Sequence, residues 1–216
     1  MPFTRVELCV FSLVQGELQV LLARRAGEPY QGRWALPGGV LRIDLDADLD
    51  ASAQRVARER LGTDLPGASL QTAVGGKERD PRAPWALSVV YRSAVLAGQV
   101  PVTPGKRVSE LRWTPAPQAG ADRRLAFDHA RIVDQALKSL RTEVGELRFA
   151  PGLLEEPFTL GDLQAASEAV LGRALDKSSF RRKVDVAGVV QPVEGEMRTG
   201  AFRPAQLYCL VTAKPV

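Results

Sequence analysis

The residues from Trp34 to Thr63 read WALPGGVLRIDLDADLDASAQRVARERLGT: paired glycines, then Asp44, Asp46, Asp48 and Asp50, then a run carrying Arg55, Glu59 and Arg60. Clustered carboxylates can hold a hard divalent cation against a diphosphate and neutralise charge while a phosphate leaves. Arginines can instead grip the diphosphate directly through forked N–H donors. A second concentration of chemistry lies in DKSSFRRKVDVAG, where Lys177, Arg181, Arg182 and Lys183 accompany Ser178 and Ser179. Hydroxyls and helix N-terminal amides suit phosphate oxygens, and guanidinium groups suit phosphates or guanine edges.

Both stretches need scaffolds. VELCVFSLVQGELQVLLARR predicts two strands joined at Gln15-Gly16, because β-branched and leucine residues flank a turn signal. Leu49, Ala53, Val56, Ala57 and Leu61 recur at helical spacing and Gly62 supplies a stop, which predicts a helix packed on a sheet. Further strands are expected at 69–75 and 85–96, and a helix from Phe127 to Glu143. Mixed strands and helices give an α+β class. Near VGELRFAPGLLEEPFTL the composition changes, and Thr159 with Asp162 forms a capping box that opens a new helix. The predicted division is 1–148 and 149–216. Beyond it, Asp176 caps a second helix from Lys177 to Ala187, with Phe180, Val184 and Ala187 expected inward, and a strand–loop–strand follows. Helix, turn, helix and hairpin outline a winged helix-turn-helix, with Arg198 and Arg203 in the wing.

A chain of 216 residues with 45% hydrophobic and 25% charged residues has room for one full domain and a small second one. No apolar run suits a membrane helix and the start does not resemble a signal peptide, so no membrane partner and a cytoplasmic location are expected. Cys9 and Cys209 sit in apolar, strand-like surroundings and read as buried thiols. The net charge of +4 is compatible with an anionic partner without requiring one.

The first stretch resembles the Nudix box, whose helix ends in Arg-Glu-apolar-x-Glu-Glu-x-Gly-apolar and whose glutamates hold Mg²⁺ against a diphosphate. Aligned on Gly62, the chain keeps the arginine as Arg55 and one glutamate as Glu59, while Val56 and Arg60 replace the other two glutamates. Valine supplies no ligand and Arg60 brings a permanent positive charge, so magnesium affinity should fall. Glu59 is the residual metal candidate, although a surface pair with a neighbouring arginine suits it better. The acidic run is expected to be a solvated loop.

The resemblance extends over almost the whole chain. GELQVLLARRAGEPYQGRWALPGG, RDPR at 79–82, LAFDHARIVDQAL at 125–137, and FTLGDLQAASEAVLGRALDKSSFRRKV through RPAQLY are similar to the NrtR-like, Nudix-related transcriptional regulators. That resemblance implies a Nudix-like α/β/α sandwich followed by a winged helix. It further implies a homodimeric repressor of NAD or niacin metabolism genes on a palindromic double-stranded operator, released by ADP-ribose or a related phosphorylated effector. No catalytic residue, no required cofactor and no Mg²⁺ dependence are then expected. Arg24, Arg25, Trp34, Gly38, Gly39, Arg42 and Arg82 are the effector-binding candidates. Lys177, Ser178, Ser179, Arg181, Arg182, Lys183, Arg198 and Arg203 are the DNA-binding candidates. His129 has no evident nucleophile or carboxylate relay and reads as a helix-start or domain-junction residue. Two alternatives remain: an active ADP-ribose pyrophosphatase with a regulatory domain, and a sugar-pathway regulator on the same scaffold.

Overall fold

The computed structural model describes residues 2–199 and 204–211. Strands β1 (Phe3–Val14) and β2 (Glu17–Arg25) form the expected hairpin, with Gln15 and Gly16 both at positive φ in its turn. Two short strands escaped the sequence patterns, β3 (Trp34–Ala35) and β4 (Gly38–Val40). Helix α1 (Leu49–Leu61) begins at Asp48, whose carboxylate accepts from the Ala51 N–H, and ends at Gly62 in the left-handed conformation. Strands β5 (Ser69–Asp80), β6 (Ala83–Ala94) and β7 (Val108–Pro115) follow, then a short helix α2 (Ala116–Ala121) and helix α3 (His129–Gly145). The predicted start of α3 at Phe127 is two residues early, because Phe127 has φ +57° and cannot continue a right-handed helix.

The sheet runs β3-β2-β1-β6-β5, with β4 added beside β1 and β7 beside β2. Strand β1 lies at its centre, parallel to β6 and antiparallel to β2 and β4. Alternate side chains therefore enter two layers. Val6, Leu8 and Val10 meet Ala53, Val56, Ala57 and Leu61 of α1. Cys9 and Phe11 join Ile132, Val133, Ala136 and Leu140 of α3 on the other side. Each buried leucine or valine contributes about 1.5–3 kcal/mol, so both helices are held mainly by these faces.

Helices α4 (Leu160–Leu171) and α5 (Lys177–Ala187) and the hairpin of β8 (Val190–Arg198) and β9 (Ala205–Leu210) complete the chain. Thr159 and Asp162 make the reciprocal capping box, and Asp176 caps α5 by accepting from Ser179. Phe158, Leu163, Phe180 and Val184 form a separate small core, with Tyr208 and Leu210 packed on it. Ala187, expected inward, is exposed, since the last turn of α5 runs past that core. Cys9 is buried, with its thiol pushed up to about 12 by desolvation, whereas Cys209 is only partly covered; both are free thiols.

The connector is not a loose tether. Leu153 and Val170 belong to the same core cluster as α3, and Arg141 of α3 donates from Nε to the Val170 carbonyl at 3.0 Å.

Candidate functional site

A small cleft of about 60 Å³ opens between β1, the end of β2, the Ala35–Gly38 turn and Arg60 in the last turn of α1. Arg5 from β1, Arg24 and Arg25 from the end of β2, Arg60 from α1, Arg82 and Arg107 all line it. Their convergence follows from register and capping. The β1–β4 pairing sets Glu7 opposite Gly38 and Arg5 opposite Val40. The orphan carbonyls at the end of α1 are satisfied by the loop between β6 and β7: Lys106 donates to Glu59 at 2.7 Å, Gly105 to Arg60 at 3.1 Å and Thr103 to Leu61 at 2.8 Å. That loop delivers Arg107.

The cations are only partly neutralised. Arg5 donates to Glu7 Oε1 at 2.7 Å, and Arg82 makes a forked pair with Asp80, at 2.8 and 2.5 Å. Arg60 has carbonyl partners instead, donating to Gly38 at 2.8 Å and to Lys106 at 2.6 Å. Burial first, then Arg5, Arg107 and Arg55 nearby, pull its pKa down against the opposing pull of Glu59. Arg25 is lowered to about 10 by burial and then by Arg5 and Arg82. Like charges held together this way favour an anion between them.

An aromatic group stands at the rim. The Arg25, Arg5 and Arg82 guanidinium carbons lie 4.9, 5.6 and 5.9 Å from the centre of the Phe127 ring, and Tyr30 meets the same ring edge-on at 4.9 Å. His129, the first residue of α3, is 2% exposed. Its Nδ1 accepts the Leu36 N–H at 2.8 Å, so in the neutral ring Nε2 carries the proton, 3.8 Å from Glu7. Burial lowers its pKa, and the ring acts as a tie between the cleft floor and the start of α3.

Of the sequence candidates, Arg24, Arg25, Gly38 and Arg82 meet in the cleft, and Trp34, Gly39 and Arg42 do not line it. Trp34 is covered by Arg112, 4.2 Å from its ring, on a different surface. Gly39 lies against Val56, where an added Cβ would approach Cγ2 to 2.8 Å. Arg42 points to solvent and pairs with Asp44 at 2.6 Å. Arg5, Arg60 and Arg107 also line the cleft and were not among the candidates. For Arg5, the signal was its place two residues from Glu7 in an otherwise apolar strand, which puts both on one face.

The acidic run is the exposed loop expected at Asp44 and Asp48, and Asp50, also exposed, lies in the first turn of α1; Asp46 is the exception. Asp46 is 1% exposed in its side chain and accepts from Arg55 at 2.6 and 2.8 Å, which holds its carboxyl at about 2. Asp48 caps α1 and Asp50 accepts from the Tyr91 hydroxyl. Glu59 pairs with Arg55 at 3.3 Å. Among the described residues no three His, Cys, Asp or Glu side chains are placed to hold one metal ion.

On α5 the polar candidates divide among three directions. Lys177 and Arg181 face the cleft beside the hairpin, Ser179 and Lys183 face a groove shared with Val144 and Leu147, and the exposed Ser178 and Arg182 line neither. Arg198 donates to Asp162 at 2.7 Å, tying the hairpin to the N-terminus of α4. Arg203 lies outside the described residues. No described helix is long and apolar enough to cross a membrane.

Comparison with known proteins matches residues 4–136 to the NUDIX domain family and residues 151–210 to the NrtR DNA-binding winged helix domain. The chain is 34% identical over 209 residues to the ADPR responsive transcriptional repressor NtrR of Acinetobacter baylyi, covering 96% of this chain and 81% of that protein. The crystal structure of Shewanella oneidensis NrtR complexed with a 27mer DNA superposes with TM-score 0.81 at 31% identity, covering 96% of this chain and 93% of the other. The NUDIX domain of the same Shewanella protein complexed with ADP ribose superposes with TM-score 0.57 at 28% identity, over 65% of this chain and 89% of that domain.

Proposed function

The chain belongs to the NrtR family of Nudix domains joined to a winged helix, and we propose that it is an ADP-ribose-responsive transcriptional repressor that senses its ligand without cleaving it. One observation carries the non-hydrolytic part of this reading. Arg60 occupies a helix position where Nudix hydrolases carry a metal-binding glutamate, and it faces the same cleft as Arg5, Arg25 and Arg82. Forked guanidinium donors neutralise a diphosphate without a metal, whereas hydrolysis of this type needs clustered carboxylates around Mg²⁺.

The effector contacts are Arg5, Arg24, Arg25, Arg60, Arg82 and Arg107, with Gly38 in the floor. The division between sensor and reader falls after Arg148. Ser178 and Arg182 face the DNA, Lys177, Ser179, Arg181 and Lys183 flank them, and Arg198 belongs to the wing. Two copies bind a palindromic double-stranded operator in the cytoplasm, at genes of NAD or niacin metabolism, and ADP-ribose binding lowers operator affinity through a coupling free energy.

Selection of genomic fragments bound by the protein, repeated with ADP-ribose, tests this reading. Enrichment of one palindromic site that is lost with the ligand is expected; no enrichment, or retention with ADP-ribose, overturns it. Incubation of ADP-ribose with Mg²⁺ and the protein should release no AMP, and turnover at an enzymatic rate would overturn the sensing-only reading.

A further inference from the structure

We propose that Phe127 passes occupation of the arginine cleft to the winged helix, a proposal that rests on the regulatory reading above. Phe127 joins the cleft to the start of α3. Its ring gathers the guanidinium groups of Arg25, Arg5 and Arg82, which line the cleft. Its backbone, at φ +57°, makes the bend from which α3 starts two residues later. A bulky aromatic residue in the left-handed region is strained, and surrounding contacts must hold it there.

Those contacts are of two kinds. The segment around the bend is tied to the cleft floor: Ala126 donates to the Trp34 carbonyl at 2.8 Å, and Leu36 donates to His129 Nδ1 at 2.8 Å. Asp128, between Phe127 and α3, accepts from Arg79 at 2.8 and 2.7 Å and from Arg131 at 2.9 Å. The other contacts are the cations on the ring, and these respond to a ligand. A diphosphate draws Arg25 and Arg82 toward its oxygens, since ion pairing with hydrogen bonds exceeds a cation–ring contact. Phe127 then loses the partners that favour its strained conformation.

Movement of the bend displaces the start of α3, and α3 is joined to the reader. Leu140 and Val144 of α3 share a core cluster with Val170 of α4, and Arg141 donates to the Val170 carbonyl at 3.0 Å. The ligand therefore makes different contacts in two arrangements of one element, which is what coupling requires.

The test measures operator affinity with and without saturating ADP-ribose, in EDTA, for the wild type, Phe127→Leu and Phe127→Asn, with the operator taken from the genomic selection. Leucine keeps bulk without a π face, and asparagine tolerates the left-handed backbone if leucine does not fold. Phe127→Leu, lacking the ring contacts that hold the bend, should bind operator about as weakly as ligand-bound wild type, and Phe127→Asn, which keeps the left-handed backbone unaided, should bind it like unliganded wild type. Both should bind ADP-ribose about threefold more tightly, because the ring no longer competes for the arginines. The factor by which ADP-ribose weakens operator binding should fall from the wild-type value toward one. Operator should likewise cease to weaken ADP-ribose binding, as reciprocity demands. A purely structural role would lower one or both affinities and leave that factor unchanged, and this result overturns the proposal. A wild type that ADP-ribose does not release overturns the regulatory reading itself; release of wild type and variants by the same factor overturns only the role of Phe127.

Discussion

Gly38 stands directly across the β1–β4 ladder from Glu7, and a methyl group at position 38 would occupy the space of the Glu7 carboxylate. Glu7 is fully buried, one oxygen bound to Arg5 and the other without a hydrogen-bond partner among the described residues. Gly38→Ala must push this carboxylate aside. A destabilisation of about 1–3 kcal/mol is expected, as for other overpacked sites. Urea denaturation of wild type and variant measures it, and equal midpoints would show that the carboxylate moves freely.

Arg60 bridges Gly38 and Lys106 through carbonyl oxygens, leaving its charge for the cleft. Arg60→Glu should weaken ADP-ribose binding by about 10- to 100-fold, the range for losing a charged hydrogen bond. It should not generate hydrolysis, because Val56 is buried under Gly39 and the second carboxylate is still missing. Calorimetric titration and an AMP-release assay check the two halves. Unchanged affinity would remove Arg60 from the site.

Asp46 and Arg55 form a nearly buried pair, and Arg55 holds the Asp46 carboxyl at about 2. In the unfolded chain an aspartate titrates near 3.9. The folded value is the lower, so the pair stabilises fully above that pH and its contribution is lost as pH falls toward the folded value. Asp46→Asn should cost about 2 kcal/mol at neutral pH, and its deficit against wild type should shrink in acid. Thermal melts across pH check this; a constant deficit would mean that packing, not charge, is what the substitution removes.

The three directions of α5 make its cations unequal. Arg182→Ala should weaken operator binding by about 10- to 100-fold if it reads a base, or reduce the salt slope by about 0.9 if it holds a phosphate. Lys183→Ala should do less, since that side chain lies over the groove near Leu147. Anisotropy titrations at several salt concentrations rank them, and a larger loss for Lys183 would reverse the assignment of the reading face.

Local chemistry was legible and distant register was not. The caps at Asp48, Gly62, Thr159 and Asp176 can be read from short spacings because cap and helix lie within a few residues. The outward placement of Ala187 could not, because helical period says which residues share a stripe but not how far the partner core extends. The cleft was half visible. Arg24, Arg25, Gly38 and Arg82 stood in recognisable motifs, whereas Arg5 and Arg107 arrive through strand pairing and a helix-end loop that no local pattern encodes. Arg60 was conspicuous only as a charge opposed to a metal. Trp34 and Arg42 show the converse error, in which a plausible residue type beside a motif points elsewhere.

Because Leu153 and Val170 are seated in the same apolar layer as α3, the reader cannot swing on a free string. Packing at the α3–α4 seam leaves room for rocking rather than free rotation, which would move α5, at the far end, as a lever. Were two copies to sit on a palindrome as proposed, the DNA helix would fix two such levers at a set phase, and a slight tilt at each seam would put them out of step.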